Sequence, residues 1–178
     1  MALTIETEPS ADQVAFNLKR WNEILADREL ARLPHRIETD RYGHILLRPP
    51  PAPKHVRKQY QIGALLEKHL RKGFAMIECP ISTSDGIKAV DVAWLGPKRS
   101  KEADSSMPLT RAPEICVEIV SPSNTRGAID DKRKLYFGAG AEEVWICDQS
   151  ANLHFYTKDS PERPAESKRC PSFPAQVR

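Results

Sequence analysis

Over residues 12–33 apolar positions recur at helical spacing, with Val14, Leu18, Trp21, Leu25 and Leu30 on one face and Asp12 able to cap the start. The period then shortens. Two extended runs, HRIET and HILL, flank the turn chemistry of DRYG and predict a hairpin. RPPPAP places four prolines in residues 49–53, a stiff connector that cannot join a ladder. A helical period returns over 55–72, with Val56, Tyr60, Gly63, Leu66 and Leu70 as the expected buried stripe and Gly73 as the stop. Strands follow. FAMIEC, GIKAVDVAWL, EICVEIVS, EVWICD and LHFYT are rich in β-branched or aromatic residues, and one helix over 126–138, between SPSNT and GAG, interrupts them. The pattern is that of an α/β protein, an α+β mixed sheet flanked by helices. It divides into an N-terminal helical segment (1–33), one main domain (34–157) and a Pro-rich, aperiodic segment (158–178) expected to be flexible.

Composition narrows the class. With 178 residues, 40% hydrophobic and 29% charged, the chain can bury one core and is neither fibrous nor disordered. No apolar run approaches the ~18 residues of a membrane span, and the acidic start MALTIETEPSADQ lacks a basic leader. A soluble, cytoplasmic protein is the expectation. The net charge of +3 is small, but Lys54, Arg57, Lys58, Lys68, Arg71 and Lys72 face only Glu67 within 54–72. Such a run is either a solvated helix face or a footprint for phosphates. The four cysteines are far apart, without a C-x-x-C pair, and read as core; the five histidines lack zinc-like spacing. Trp94, Trp145, Phe155 and Tyr156 are many large groups for the strands of so small a domain. An exposed patch and a homodimer are expected from them.

Two residues break the strand pattern. Asp91 lies within VDVAWL, and Glu118 lies within EICVEIV on the face of Cys116 and Val120. A carboxylate in an apolar strand is costly to bury unless paired, so each is either at an exposed edge, paired with arginine, or functional. On the helix over 126–138, Ile129, Lys132, Leu135, Tyr136 and Ala139 form the inward stripe. Lys134 then points outward towards Asp130, and Arg133 lies about 100° round from Lys132. Lys132 either snorkels to solvent or joins the two carboxylates. As a group, Asp91, Glu118 and Lys132 can hold a divalent cation, water and a phosphate oxygen, with the lysine stabilising developing negative charge.

Asp91 in AVDVAWL, Glu118 in EICVEIVSPSN and Lys132 in DDKRKLYFGAGAEEVWICD, in that order and spacing, resemble the Uma2 family. That family is a branch of the PD-(D/E)XK restriction-endonuclease-like superfamily, and the resemblance runs from about residue 30 to 157. It implies a Mg²⁺- or Mn²⁺-dependent endonuclease acting on nucleic acid, DNA above all, with catalytic Asp91, Glu118 and Lys132. The metal ligands it implies are Asp91, Glu118 and the carbonyl of Ile119. Glu38 matches a glutamate before the first hairpin turn of the family, and Glu143, Trp145 and Asp148 match family positions too; Trp145 also reads as core and Asp148 as a turn residue. His55 and Gln59 open the basic helix and are accessory candidates for phosphate or metal-bound water. Lys54, Arg57, Lys58 and Lys68 are candidates for the nucleic-acid backbone. Three positions depart from the family pattern. Val90 replaces the proline before the aspartate, Val120 replaces the superfamily lysine after the glutamate, and Ala128 replaces an acidic residue whose part Asp130 or Asp131 can take. The rival reading is a catalytically silent module that binds nucleic acid or a protein on a nuclease fold.

Overall fold

The computed structural model describes residues 8–105 and 107–177; residues 1–7 of the acidic start lie outside them. Helix α1 (Ala11–Ala26) is capped by Ser10, whose side chain accepts from the Gln13 amide, so Asp12 falls inside the first turn rather than before it. The helix stops at Ala26, and a single 3-10 turn (Leu30–Arg32) follows it. Strands β1 (Arg36–Thr39) and β2 (Ile45–Arg48) form the expected antiparallel hairpin. It lies against the main sheet through Glu38 and Thr39, which accept hydrogen bonds from the Ala89 and Ile87 amides.

Helix α2 (Pro53–His69) starts at a proline, whose missing N–H costs nothing at the first helical position. Its buried face is Gln59, Ile62, Gly63 and Leu66, whereas Val56 and Tyr60 are exposed. Gly63 and Leu66 of the expected stripe are buried and Leu70 packs against the core, whereas Val56 and Tyr60 give way to Gln59 and Ile62. A stripe counted on apolar residues alone passes over the polar Gln59, which the site below accommodates. The helix also ends before Gly73, which instead packs where a side chain would strike Leu95 and Trp94.

The main sheet contains β3 (Phe74–Thr83), β4 (Gly86–Leu95), β5 (Ile115–Ile119), β6 (Glu143–Cys147), β7 (Leu153–Thr157) and β8 (Ser160–Ala165), in that spatial order. Only the β5–β6 pair is parallel; α4 (Arg126–Gly138) makes the crossover that a parallel pair requires. A short helix, α3 (Pro97–Ala103), follows β4 and was not evident in the periodicity. One face of the sheet buries Cys79, Val90 and Cys116 beneath Ile129 and Tyr136 of α4. The other buries Val92, Val117 and Trp145 beneath Ile62 and Leu66 of α2. All four cysteines are buried and unpaired, and no described helix is long and apolar enough to cross a membrane.

Residues 158–177, expected to be aperiodic, hold a strand and core residues. Residues 160–165 are β8, and Cys170, Phe173 and Val177 enter the α2-side core. The buried carboxylate of Glu143 gathers the segment, accepting from Trp145 Nε1, Ser167 Oγ and the amides of Lys168 and Arg169, each at 2.7 Å. The order comes from these tertiary partners, which a search for local periodicity does not register. Among the aromatics, Trp94 and Trp145 are buried and Phe155 stacks edge-on against Trp145, so they do not form the exposed patch expected of them.

Candidate active site

The sheet's alternation fails at one place. Ala93 and Leu95 face α4, and Val92 and Trp94 face α2, yet Val90 again faces α4, so Asp91 is out of period. The partner strand breaks at the same level. Ile77 pairs with Val92 and Cys79 with Val90, while Glu78, opposite Asp91, is skipped by the ladder and has φ +55°. A left-handed backbone at a non-glycine residue costs about 1–2 kcal/mol and, in mid-strand, occurs mainly at functional sites. The paired kink turns two carboxylates out of the sheet pattern together.

Groups from four elements converge on this kink. From β1, Arg36 Nη1 donates to Glu78 Oε2 (2.7 Å) and to Asp91 Oδ1 (2.9 Å). From α2, His55 Nε2 lies 3.2 Å from Asp91 Oδ1, and Gln59 Nε2 donates to Glu78 and to the Asp91 carbonyl. From β5, the Ile119 amide donates to Asp91 Oδ2 at 2.7 Å. From α4, Lys132 Nζ lies 3.0 Å from Glu118 Oε2 and 3.3 Å from Glu38 Oε1, and Tyr136 Oη donates to Glu118 Oε1 at 2.6 Å. Lys132 therefore turns towards the carboxylates and not to solvent. Asp91 and Glu118 are both buried, and the arginine pairing weighed for Asp91 is present in Arg36.

The charge states follow from burial and neighbours. Burial pushes the Glu118 carboxyl up to about 7, with the Asp91 charge adding to the shift and Lys132 opposing it. Burial also disfavours ionised Asp91, but His55, Lys132 and Arg36 outweigh it and hold that carboxyl below its usual range. Glu38 behaves in the same way, its burial offset by Lys132, Arg36 and Arg48. Burial would deprotonate Lys132; Glu118 and Glu38 overcome it and keep the ammonium charged.

Of the sequence-derived residues, Asp91, Glu118, Lys132, Glu38, His55 and Gln59 are brought together, with Ile119 contributing its amide to Asp91. Lys54, Arg57 and Lys68 are exposed on α2. Lys58 differs from its expectation: its ammonium is tied to the carbonyls of Asp148 and Gln149 in the β6–β7 turn. Arg133, not Lys134, pairs with Asp130, because Arg133 turns inward over the Tyr156 ring and also meets Glu162 of β8. Asp148 is the turn residue it resembles, accepting from the Asn152 amide. Periodicity missed Arg36 and Glu78, since each looks like an ordinary surface residue of a short strand.

The donor set suits a divalent cation. His55, Glu78 and Asp91 each offer one ligand atom, all within 4.8 Å of one another, and carboxylate oxygen with imidazole nitrogen is a set that Mg²⁺ or Mn²⁺ accepts. Among the described residues, four carboxylates (Glu38, Glu78, Asp91, Glu118) meet Arg36 and Lys132 inside the site, with His55 beside Asp91 and Arg48 at the rim.

No curated protein matches the chain. Among solved structures, the chain is similar to a protein from Anabaena variabilis ATCC 29413 described as a "putative nuclease belonging to DUF820", with a TM-score of 0.60 and 20% identity over 78% of this chain and 80% of that one. That likeness shows a shared fold. The sequence profile of the Uma2 family, described as "putative restriction endonuclease", matches residues 27–176, and the chain belongs to this family.

Proposed function

We propose that the protein is a Mg²⁺- or Mn²⁺-dependent nuclease that hydrolyses phosphodiester bonds of nucleic acid, with DNA as the first substrate to test. The observation that carries this reading is the meeting of ionised, buried Asp91 with Glu118 and a charged Lys132 at a break in the sheet. A divalent cation bound there supplies the Lewis acidity that polarises a phosphodiester and makes water a competent nucleophile near neutral pH. Asp91 would anchor it, with Glu118 and the Ile119 carbonyl as the further ligands that the family pattern implies.

Each remaining residue has a task of its own. Lys132, held by Glu118 and Glu38, places a fixed positive charge where negative charge builds on the phosphoryl oxygens. A lysine kept charged in this way stabilises charge and does not serve as a general base. Tyr136 donates to Glu118 and fixes its orientation. Lys54 and Arg57 share the first turns of α2 with His55, so they can grip the sugar–phosphate backbone beside the reacting phosphate without reading sequence. Cleavage of plasmid, single-stranded DNA and RNA with Mg²⁺ or Mn²⁺ tests the reading. Activity on any of them that Asp91→Ala abolishes is the expected result. A cation-loaded wild-type protein that binds nucleic acid and leaves all three intact overturns it in favour of the silent module.

A further inference from the structure

We propose that Glu78, His55 and Asp91 hold a divalent cation at a position of its own, beside the Asp91–Glu118 position above. The use of that cation rests on the nuclease reading above; the coordination does not. Three ligand atoms from three elements lie within 4.8 Å of one another, a spacing that one small cation can span. Glu78 reaches this position through a left-handed backbone at the level of Asp91. His55 Nε2 is sealed from solvent and makes no aligned hydrogen bond, although Asp91 Oδ1 is 3.2 Å away. An imidazole nitrogen so placed, beside two carboxylates and without an aligned partner, is positioned to serve as a metal ligand.

A positive group already occupies this point. Arg36 Nη1 bonds Glu78 Oε2 and Asp91 Oδ1 at once, so its guanidinium competes with a cation for the same oxygens. Glu118, held by Tyr136 and Lys132, takes no part in this position. Glu78 is also the open carboxylate of the group, with its side chain 30% exposed against 4% for Glu118 and 0% for Glu38. A cation on Glu78, His55 and Asp91 therefore stands where a phosphate arriving from solvent can meet it, and Arg36 is displaced towards that phosphate.

Manganese is the probe. Pulsed EPR of the Mn²⁺-loaded full-length protein should show coupling to an imidazole ¹⁴N, and His55→Ala should remove it. In parallel, calorimetric titration with Mn²⁺ should show Glu78→Gln weakening binding at least tenfold. Wild-type protein that binds no Mn²⁺, or shows no ¹⁴N coupling when loaded, overturns the proposal, as does unchanged affinity in a folded Glu78→Gln. The wild-type spectrum decides the matter if that variant fails to fold. An imidazole-coupled Mn²⁺ without cleavage of any nucleic acid instead removes the nuclease reading and leaves the cation site standing.

Discussion

Glu78 and Asp91 face each other across β3 and β4, and one nitrogen of Arg36 bonds both. Removing that guanidinium leaves two carboxylates without their shared counter-charge. Arg36→Gln should lower stability by roughly 3 kcal/mol without divalent cations, as expected for a broken, largely buried ion pair. The same change removes the competitor for their oxygens, so Mn²⁺ affinity should rise severalfold. Urea denaturation in EDTA and calorimetric titration check the two halves separately.

Glu118 gives a pH signature. Its folded-state value of about 7 lies above its ordinary value of 4.5, so the native state binds more protons than the unfolded one between those limits. The contribution of this group to stability therefore falls as pH rises from about 5 to 7. Glu118→Gln stays neutral and escapes that loss. Relative to wild type it should gain up to about 3 kcal/mol between pH 5 and pH 8. Urea denaturation of both proteins in EDTA across that range measures it, and a parallel pair of curves contradicts the assignment.

Lysines on one helix should separate chemistry from surface. Lys132→Met removes the ammonium beside Glu118 and Glu38 and should abolish cleavage while leaving a folded protein. Lys134→Ala should change stability by no more than about 0.5 kcal/mol and leave cleavage intact. The pair is read by a cleavage assay together with circular dichroism of each variant.

Salt dependence locates the nucleic-acid grip. Lys54 and Arg57 lie at the site end of α2, whereas Lys68 is about 20 Å further along at 1.5 Å per residue. Reversing Lys54 and Arg57 together should weaken DNA binding evenly across sequences and reduce the log–log salt slope by about 2, one unit per phosphate contact. Lys58 is held by turn carbonyls, so reversing it should loosen the β6–β7 turn instead. Fluorescence anisotropy at several salt concentrations distinguishes these outcomes.

The C-terminal segment should prove part of the core. Phe173 is buried against Trp145, with ring centroids 4.7 Å apart. Phe173→Ala should cost roughly 3 kcal/mol, the scale of a large-to-small change in a core. A thermal or urea transition indistinguishable from wild type would mean that the segment does not pack there.

The sequence alone determined what local period and residue chemistry can express. Apart from α3 and β8, the order of helices and strands, the hairpin, the helix over 126–138 and the inward aim of Lys132 were legible because each depends on neighbours a few positions away. Asp91 and Glu118 were legible because a carboxylate within an apolar strand has a cost that needs a reason. Tertiary structure decided what depends on partners distant along the chain. Arg36 meets Asp91 across 55 positions, and Glu143 orders residues 167–169 from across a turn and a hairpin. The start of the buried face of α2 was decided there too, because Gln59 is buried where Glu78 and the Asp91 carbonyl accept from it. A polar residue reads as surface until its partner is known, and only the folded chain brings that partner within hydrogen-bonding distance.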